Sequence, residues 1–198
     1  MDQETMQQLF VEQIRDLYDA EKQIVRALPK LAKAAESEEL TEALNSHLEE
    51  TKNHVSRLEK VFQLIGANAK GKPCKGMKGL LEEGNEAVEQ EDEGQLRDLA
   101  IIAGCQKVEH YEMSAYGTVR TIAEQMDKQD VVQLLQETED EEKEADEKLT
   151  EVATNIYEAA DEGGEEGEEA EEETIVSTRR SGATGRATAK PATRKAGR

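Results

Sequence analysis

A chain of 198 residues with 35% charged and 3% aromatic residues, and no tryptophan, favours long charged helices. It argues against an all-β fold, which draws on β-branched and aromatic residues. A formal net charge of −20 repels nucleic acid and anionic lipid, so the body of the protein is a poor partner for either. No stretch approaches the ~18 apolar residues of a membrane span, and MDQETMQQLF has neither the basic start nor the apolar run of a signal peptide, so the expected location is the cytoplasm.

Four long helices are expected. The first runs from about Gln3 to Ala35, with Phe10, Ile14, Leu17, Ile24, Leu28 and Leu31 on one face at steps of three and four. Pro29 removes one backbone hydrogen bond from it. Ser37-Glu38-Glu39-Leu40 offers a cap for the second helix, which carries Leu40, Leu44, Leu48, Val55, Leu58 and Phe62 and ends at Gly66. A loop marked by Gly71, Pro73 and Gly76 leads to a short helix from about Lys78 to Gln90. The third long helix covers about Gln95 to Met126 and the fourth about Val131 to Ala160. Tight turns pair the first helix with the second and the third with the fourth. The long connection between the pairs is able to run back along them, since a 30-residue helix spans about 45 Å. The predicted class is therefore all-α, a ferritin-like four-helix bundle with a long crossover containing a short helix between helices two and three. Residues 1–160 form this domain. From Asp161 a Gly/Glu run and then an Arg/Lys-rich end read as a disordered acidic-then-basic tail, 161–198. Its basic end offers weak contact with nucleic acid or with the acidic body, and otherwise acts as a solubilising extension.

Carboxylates on the apolar stripes need a reason, because burying an unpaired one is costly. Glu21 sits between Leu17 and Ile24; Glu50 lies between His47 and His54; Glu112 lies between Val108 and Tyr116, with Glu109 one turn earlier; and Glu142 lies midway between Leu135 and Leu149. The spacing repeats, 29 residues from Glu21 to Glu50 and 30 from Glu112 to Glu142. So does the text: Glu49-Glu50 is followed by His54 as Glu141-Glu142 is by Asp146, each on the same helical face. Four inward carboxylates repel one another unless protons or cations neutralise them. Two metal ions do so in the dinuclear carboxylate bundles, where two helices each give a Glu and two give Glu-x-x-His; here no Glu-x-x-His occurs in the second or fourth helix. The candidate ligands are Glu21, Glu50, His54, Glu109, Glu112, Glu142 and Asp146, with His47 one turn before Glu50 as a supporting group. Cys74 and Cys105 form no CxxC motif, and a cysteine-based site is not expected. His110 is expected at the surface, and Tyr111 and Tyr116 in the core.

Leu17-Tyr-Asp-Ala-Glu21-Lys-Gln, His47-Leu-Glu-Glu-Thr51, Lys107-Val-Glu-His-Tyr-Glu112 with Tyr116-Gly117, and Leu135-Gln-Glu-Thr138 with Glu141-Glu-Lys143 resemble the YciF-type ferritin-like stress proteins in all four helices, in order. The resemblance covers about residues 3 to 158. It implies a rubrerythrin-like bundle, a homodimer and a role in stress. Two functions stay open. One is a redox metalloprotein holding two iron or manganese ions that meet peroxide or oxygen. The other is a non-enzymatic stress protein acting by association, with a degenerate metal site. Iron storage in a shell is a third and weaker option.

Overall fold

A computed structural model describes the backbone of residues 2–181 apart from Asp92, and side-chain surroundings as far as Asp161. The described residues are all-helical: α1 (Gln3–Ala34), α2 (Glu38–Leu64), α3 (Lys75–Gln90), α4 (Gln95–Gln125) and α5 (Gln129–Ser181). None of these helices is long and apolar enough to cross a membrane. Asp2 caps α1 by accepting the Thr5 N–H at 2.8 Å, and Ser37 caps α2 by accepting that of Leu40 at 3.3 Å. Each cap satisfies a donor with no partner inside its helix. Helix α1 continues through Pro29 to Ala34. The α1–α2 turn is fastened from outside: buried Asp98 of α4 accepts the Glu36 and Ser37 N–H groups at 2.9 and 2.8 Å.

The connection between α2 and α3 runs along α1. Lys72 N–H donates to the Arg15 carbonyl at 3.0 Å, and Cys74 N–H donates to the Asp19 carboxylate at 2.8 Å. Cys74 then caps α3, which starts three residues earlier than its sequence suggests because the Cys74 sulfur is already in place to accept the Met77 N–H. Gly76 is required there, since a Cβ would lie 2.9 Å from the Tyr111 ring.

The fourth long helix, α5, runs to Ser181, past the end expected near Ala160. The regular apolar spacing of this helix stops at Ile156. Contacts divide the chain at Tyr157–Glu158. Residues 182–198, and with them most of the expected basic tail, lie outside the described residues.

Within 1–157 the core has two apolar clusters. One gathers Ile24, Leu28, Leu40, Leu44, Ile101, Ile102, Leu149 and Val152. The other gathers Phe10, Ile14, Leu17, Leu58, Phe62, Tyr116, Val119 and Leu135. In α1, α2, α4 and α5 the polar residues described next fall in sequence between the named members of the two clusters.

Candidate metal centre

Six buried side chains make the polar layer: Glu21 from α1, His47 and His54 from α2, Glu109 and Glu112 from α4, and Glu142 from α5. Their positions follow from steps of three and four. On α2 the buried line is Leu40, Leu44, His47, Thr51, His54, Leu58, Val61 and Ile65, the seven-residue period of packed helices. On α4 it includes Cys105, Glu109, Glu112, Tyr116 and Val119, and on α5 Val131, Leu135, Thr138, Glu142, Leu149 and Val152. The layer sits where each line turns polar at the same level.

Ligand-type atoms of His47, Glu109, Glu112 and Glu142 lie within 4.8 Å of one another, and so do those of Glu21, His54 and Glu142. Glu142 belongs to both groups. Its Oε1 stands 3.0 Å from His54 Nδ1 and its Oε2 3.9 Å from His47 Nε2. Glu21 Oε1 is 3.6 Å from His54 Nδ1 and accepts the Tyr116 hydroxyl. His47 Nε2 is 3.4 Å from Glu109 Oε1. These approaches are close but poorly aligned. Glu21 Oε2, both His47 nitrogens, His54 Nδ1, Glu109 Oε2 and all four oxygens of Glu112 and Glu142 are buried without a hydrogen-bond partner. Buried polar atoms are nearly always paired, so this many orphans converging in one place mark the layer as built for something besides itself.

Its electrostatics are correspondingly strained. Burial pushes the Glu112 carboxyl well up, aided by the charges of Glu142 and Glu21. Burial also raises Glu109, against the pull of His47, and Glu21, against that of His54. Burial opposes ionised Glu142 too, but the close approach and charge of His54, with the charge of His47, hold it below the usual carboxylate range. Burial disfavours both imidazolium ions. Even so, Glu109, Glu50 and Glu142 hold His47 up at about 9, and Glu142 and Glu21 hold His54 at about 11.

The layer does not include every residue the sequence singles out. Glu21, His54, Glu109, Glu112 and Glu142 come together in it. Glu50 does not: its side chain is 43% exposed and meets the outer His47 nitrogen and the Ser46 hydroxyl, each at 3.5 Å. It lies one residue off the buried line, which passes through His47 and Thr51. Asp146 is also outside the layer; it accepts from Gln106 at 3.2 Å and meets exposed His110 at 3.3 Å. His47, expected as a supporting group, occupies the place intended for Glu50. Sequence reasoning missed Glu141, which faces His54 Nε2 at 2.8 Å and is itself gripped by Arg57 at 2.7 and 3.1 Å. The stripe rule cannot find a half-buried pair at a helix flank.

Comparison with known proteins sets this geometry in a family. A model described as a domain of unknown function (DUF892) matches residues 5–161. Protein YciF of Escherichia coli is 44% identical over 156 residues, which cover 78% of this chain and 94% of the relative. The crystal structure of that stress protein superposes with a TM-score of 0.75, covering 77% of this chain and 97% of its own. YcfI of Rhodopseudomonas palustris, provisionally named a structural protein, is 39% identical with a TM-score of 0.72, over 73% and 92% of the two chains. A Xanthomonas campestris protein, 19% identical over 81% of this chain and 99% of its own, shares the fold with a TM-score of 0.63. The chain belongs to the DUF892 family, alongside the stress protein YciF.

Proposed function

We propose that this protein is a ferritin-like four-helix bundle that holds two iron or manganese ions in the buried layer and serves in the response to stress. The observation that carries this reading is the pair of overlapping ligand groups sharing Glu142. His47, Glu109, Glu112 and Glu142 would hold one ion and Glu21, His54 and Glu142 the other. Two imidazoles and four carboxylates form a nitrogen–oxygen donor set that suits iron or manganese better than thiophilic metals. Two divalent cations would balance four carboxylates and satisfy the orphaned atoms.

The bound metals would supply electron transfer to peroxide or oxygen. The chain's own contribution is orientation and exclusion. Glu141, held by Arg57, would accept from His54 Nε2 and, once a metal ion replaced the Nδ1 proton, keep Nδ1 turned toward Glu21 and Glu142, as a partner on the far nitrogen fixes a ligand imidazole. Tyr116 donates to Glu21 and orients its other oxygen. The two apolar clusters keep water from the layer.

A second reading is a metal-free structural protein, and the raised imidazole values favour it: at neutral pH, His47 and His54 as cations offset part of the carboxylate charge. Elemental analysis of protein purified without chelator, then reloaded anaerobically with Fe(II) or Mn(II), separates the two. About two ions per chain is expected, and Glu142→Ala should lose both because the two groups share that residue. A wild-type protein that takes up neither metal overturns the metalloprotein reading and leaves the structural one.

A further inference from the structure

The layer is sealed on most sides. Glu21, His54, Glu112 and Glu142 have no exposed surface, whereas His47 and Glu109 keep 7% and 2%. These last two line a cavity of about 590 Å³ between α2 and α5. A second, narrow cavity of about 30 Å³ reaches Glu109 from the side of α1, α3 and α4, walled by Ile24, Leu28, Leu81, Val88 and Ile101. A hydrated cation gains nothing from such apolar walls.

The larger groove differs in charge as well as size. Glu39, Glu42, Glu50, Glu141 and Glu144 line it, against Lys148 and, at the floor, His47. Lys148 is tied to Glu39 and Glu151 at 2.9 Å each, and Glu141 is tied to Arg57. Among the described residues, Glu42 and Glu144 at the mouth have no ion pair, and Glu50 has only His47. Clefts lined by one sign of charge concentrate the opposite ion. At the floor, both His47 nitrogens and Glu109 Oε2 are orphaned.

From this we infer that the α2–α5 groove is the uptake path for divalent cations, with Glu42 and Glu144 as collecting charges and Glu50 as the carrier that hands each ion to His47. Glu50 is suited to that role because it is half-exposed, faces His47 Nδ1 at 3.5 Å and is otherwise met only by Ser46 at a loose 3.5 Å. It is a positioning residue for metal arrival, not a ligand of the filled centre. The groove's charge should likewise repel anionic metal chelates.

This inference rests on the metal-centre reading, and the test keeps the two apart. Mn(II) uptake by the full chain is followed by stopped-flow mixing and quenched loss of the free-ion EPR signal. Glu50→Gln should slow uptake about tenfold, and Glu42→Gln/Glu50→Gln/Glu144→Gln further, within the range steering provides. Both should still bind two ions per chain at equilibrium. Raising ionic strength should slow wild type and hardly affect the triple variant. A control of equal charge change outside the groove, Glu4→Gln/Glu12→Gln/Glu82→Gln, should match wild type. Unchanged rates in both groove variants, an equally slowed control, or loss of one bound ion in Glu50→Gln each overturns the uptake path while the centre stands. A wild-type chain that binds no Mn(II) overturns both.

Discussion

His47 and His54 stand two helical turns apart on one line of α2, and the chain treats them oppositely. His54 has no exposed surface; its outer nitrogen is held by Glu141, Glu141 by Arg57, and Arg57 also donates to Thr138 at 2.6 Å. His47 faces the groove, and neither of its nitrogens has an aligned partner. One half of the layer is braced and closed, and the other is open and free to adjust. If the layer takes up metal, it would need both, since a held partner on the far nitrogen fixes a ligand imidazole while arrival requires a path.

The contrast breaks most visibly at the brace. Arg57→Ala removes a guanidinium whose side chain is 11% exposed and leaves Glu141 facing His54 without its cation. Hydrogen bonds to charged groups and broken part-buried pairs put the loss at about 2–4 kcal/mol. The thermal midpoint of the metal-free protein should fall by about 5–15 °C. A fall under about 2 °C by calorimetry would show that the closed half does not depend on the brace.

The two histidines themselves supply the next comparison. At pH 7, His54→Gln should cost the metal-free protein about 2–3 kcal/mol, leaving Glu21 and Glu142 without their imidazolium, whereas His47→Gln, beside the open groove, should cost under about 1 kcal/mol. Their pH dependence should differ as well. An imidazole whose folded pKa exceeds its ordinary 6.5 contributes stability that is fully present below 6.5 and is lost as pH rises through the folded value. For His47 that value is about 9, and for His54 about 11. Chemical denaturation at pH 7 and pH 10 should therefore show the His47→Gln deficit vanishing at the higher pH and the His54→Gln deficit persisting. Deficits that fade together would mean the two halves share one protonation equilibrium.

Much of this was legible in the residues. Steps of three and four located the four long helices, the loop at Gly71, Pro73 and Gly76 marked off the short one, and Glu21, Glu112 and Glu142 declared themselves by interrupting apolar lines. The misplacement of Glu50 shows the limit of that reading. Glu50 only flanks the Leu44–Thr51–Leu58 stripe, three residues after His47 and four before His54, and the Glu49-Glu50/Glu141-Glu142 repeat singled it out. The true line runs through His47, Thr51 and His54, polar at three successive places. A hydrophobic pattern cannot reveal a core line at the point where it stops being hydrophobic. Asp146 was carried in by the same repeat. Asp98, buried to hold the backbone of a distant turn, gave no periodic signal either, because its partners are amides more than 60 residues away.

The smallest effect concerns the carboxylates, which the sequence presents as equals and the geometry divides. Glu142 has two imidazoles beside it and is held ionised; Glu112 has none within the contacts described, and both its oxygens are orphaned. Burial first, then the charges of Glu142, Glu21 and Glu109, raise the Glu112 carboxyl well above 4.5. A group of this kind keeps its proton in the folded state after the unfolded chain has lost it. Its contribution is present in full below 4.5 and is lost as pH rises toward the folded value. Glutamine has nearly the same shape and never ionises. Metal-free Glu112→Gln should therefore match wild type near pH 4 and exceed it by about 1 kcal/mol at pH 7–8, while metal-free Glu142→Gln, which strands His54, should be less stable than wild type there. With Mn(II) bound the order for Glu112→Gln should reverse, because a ligand has been removed and binding to the folded state stabilises it less. Guanidinium titrations at the two pH values, with and without metal, measure all three differences. A Glu112→Gln protein that is weaker than wild type at pH 8 without metal would mean that Glu112 already has a partner in the folded protein, and that the layer is balanced without ions.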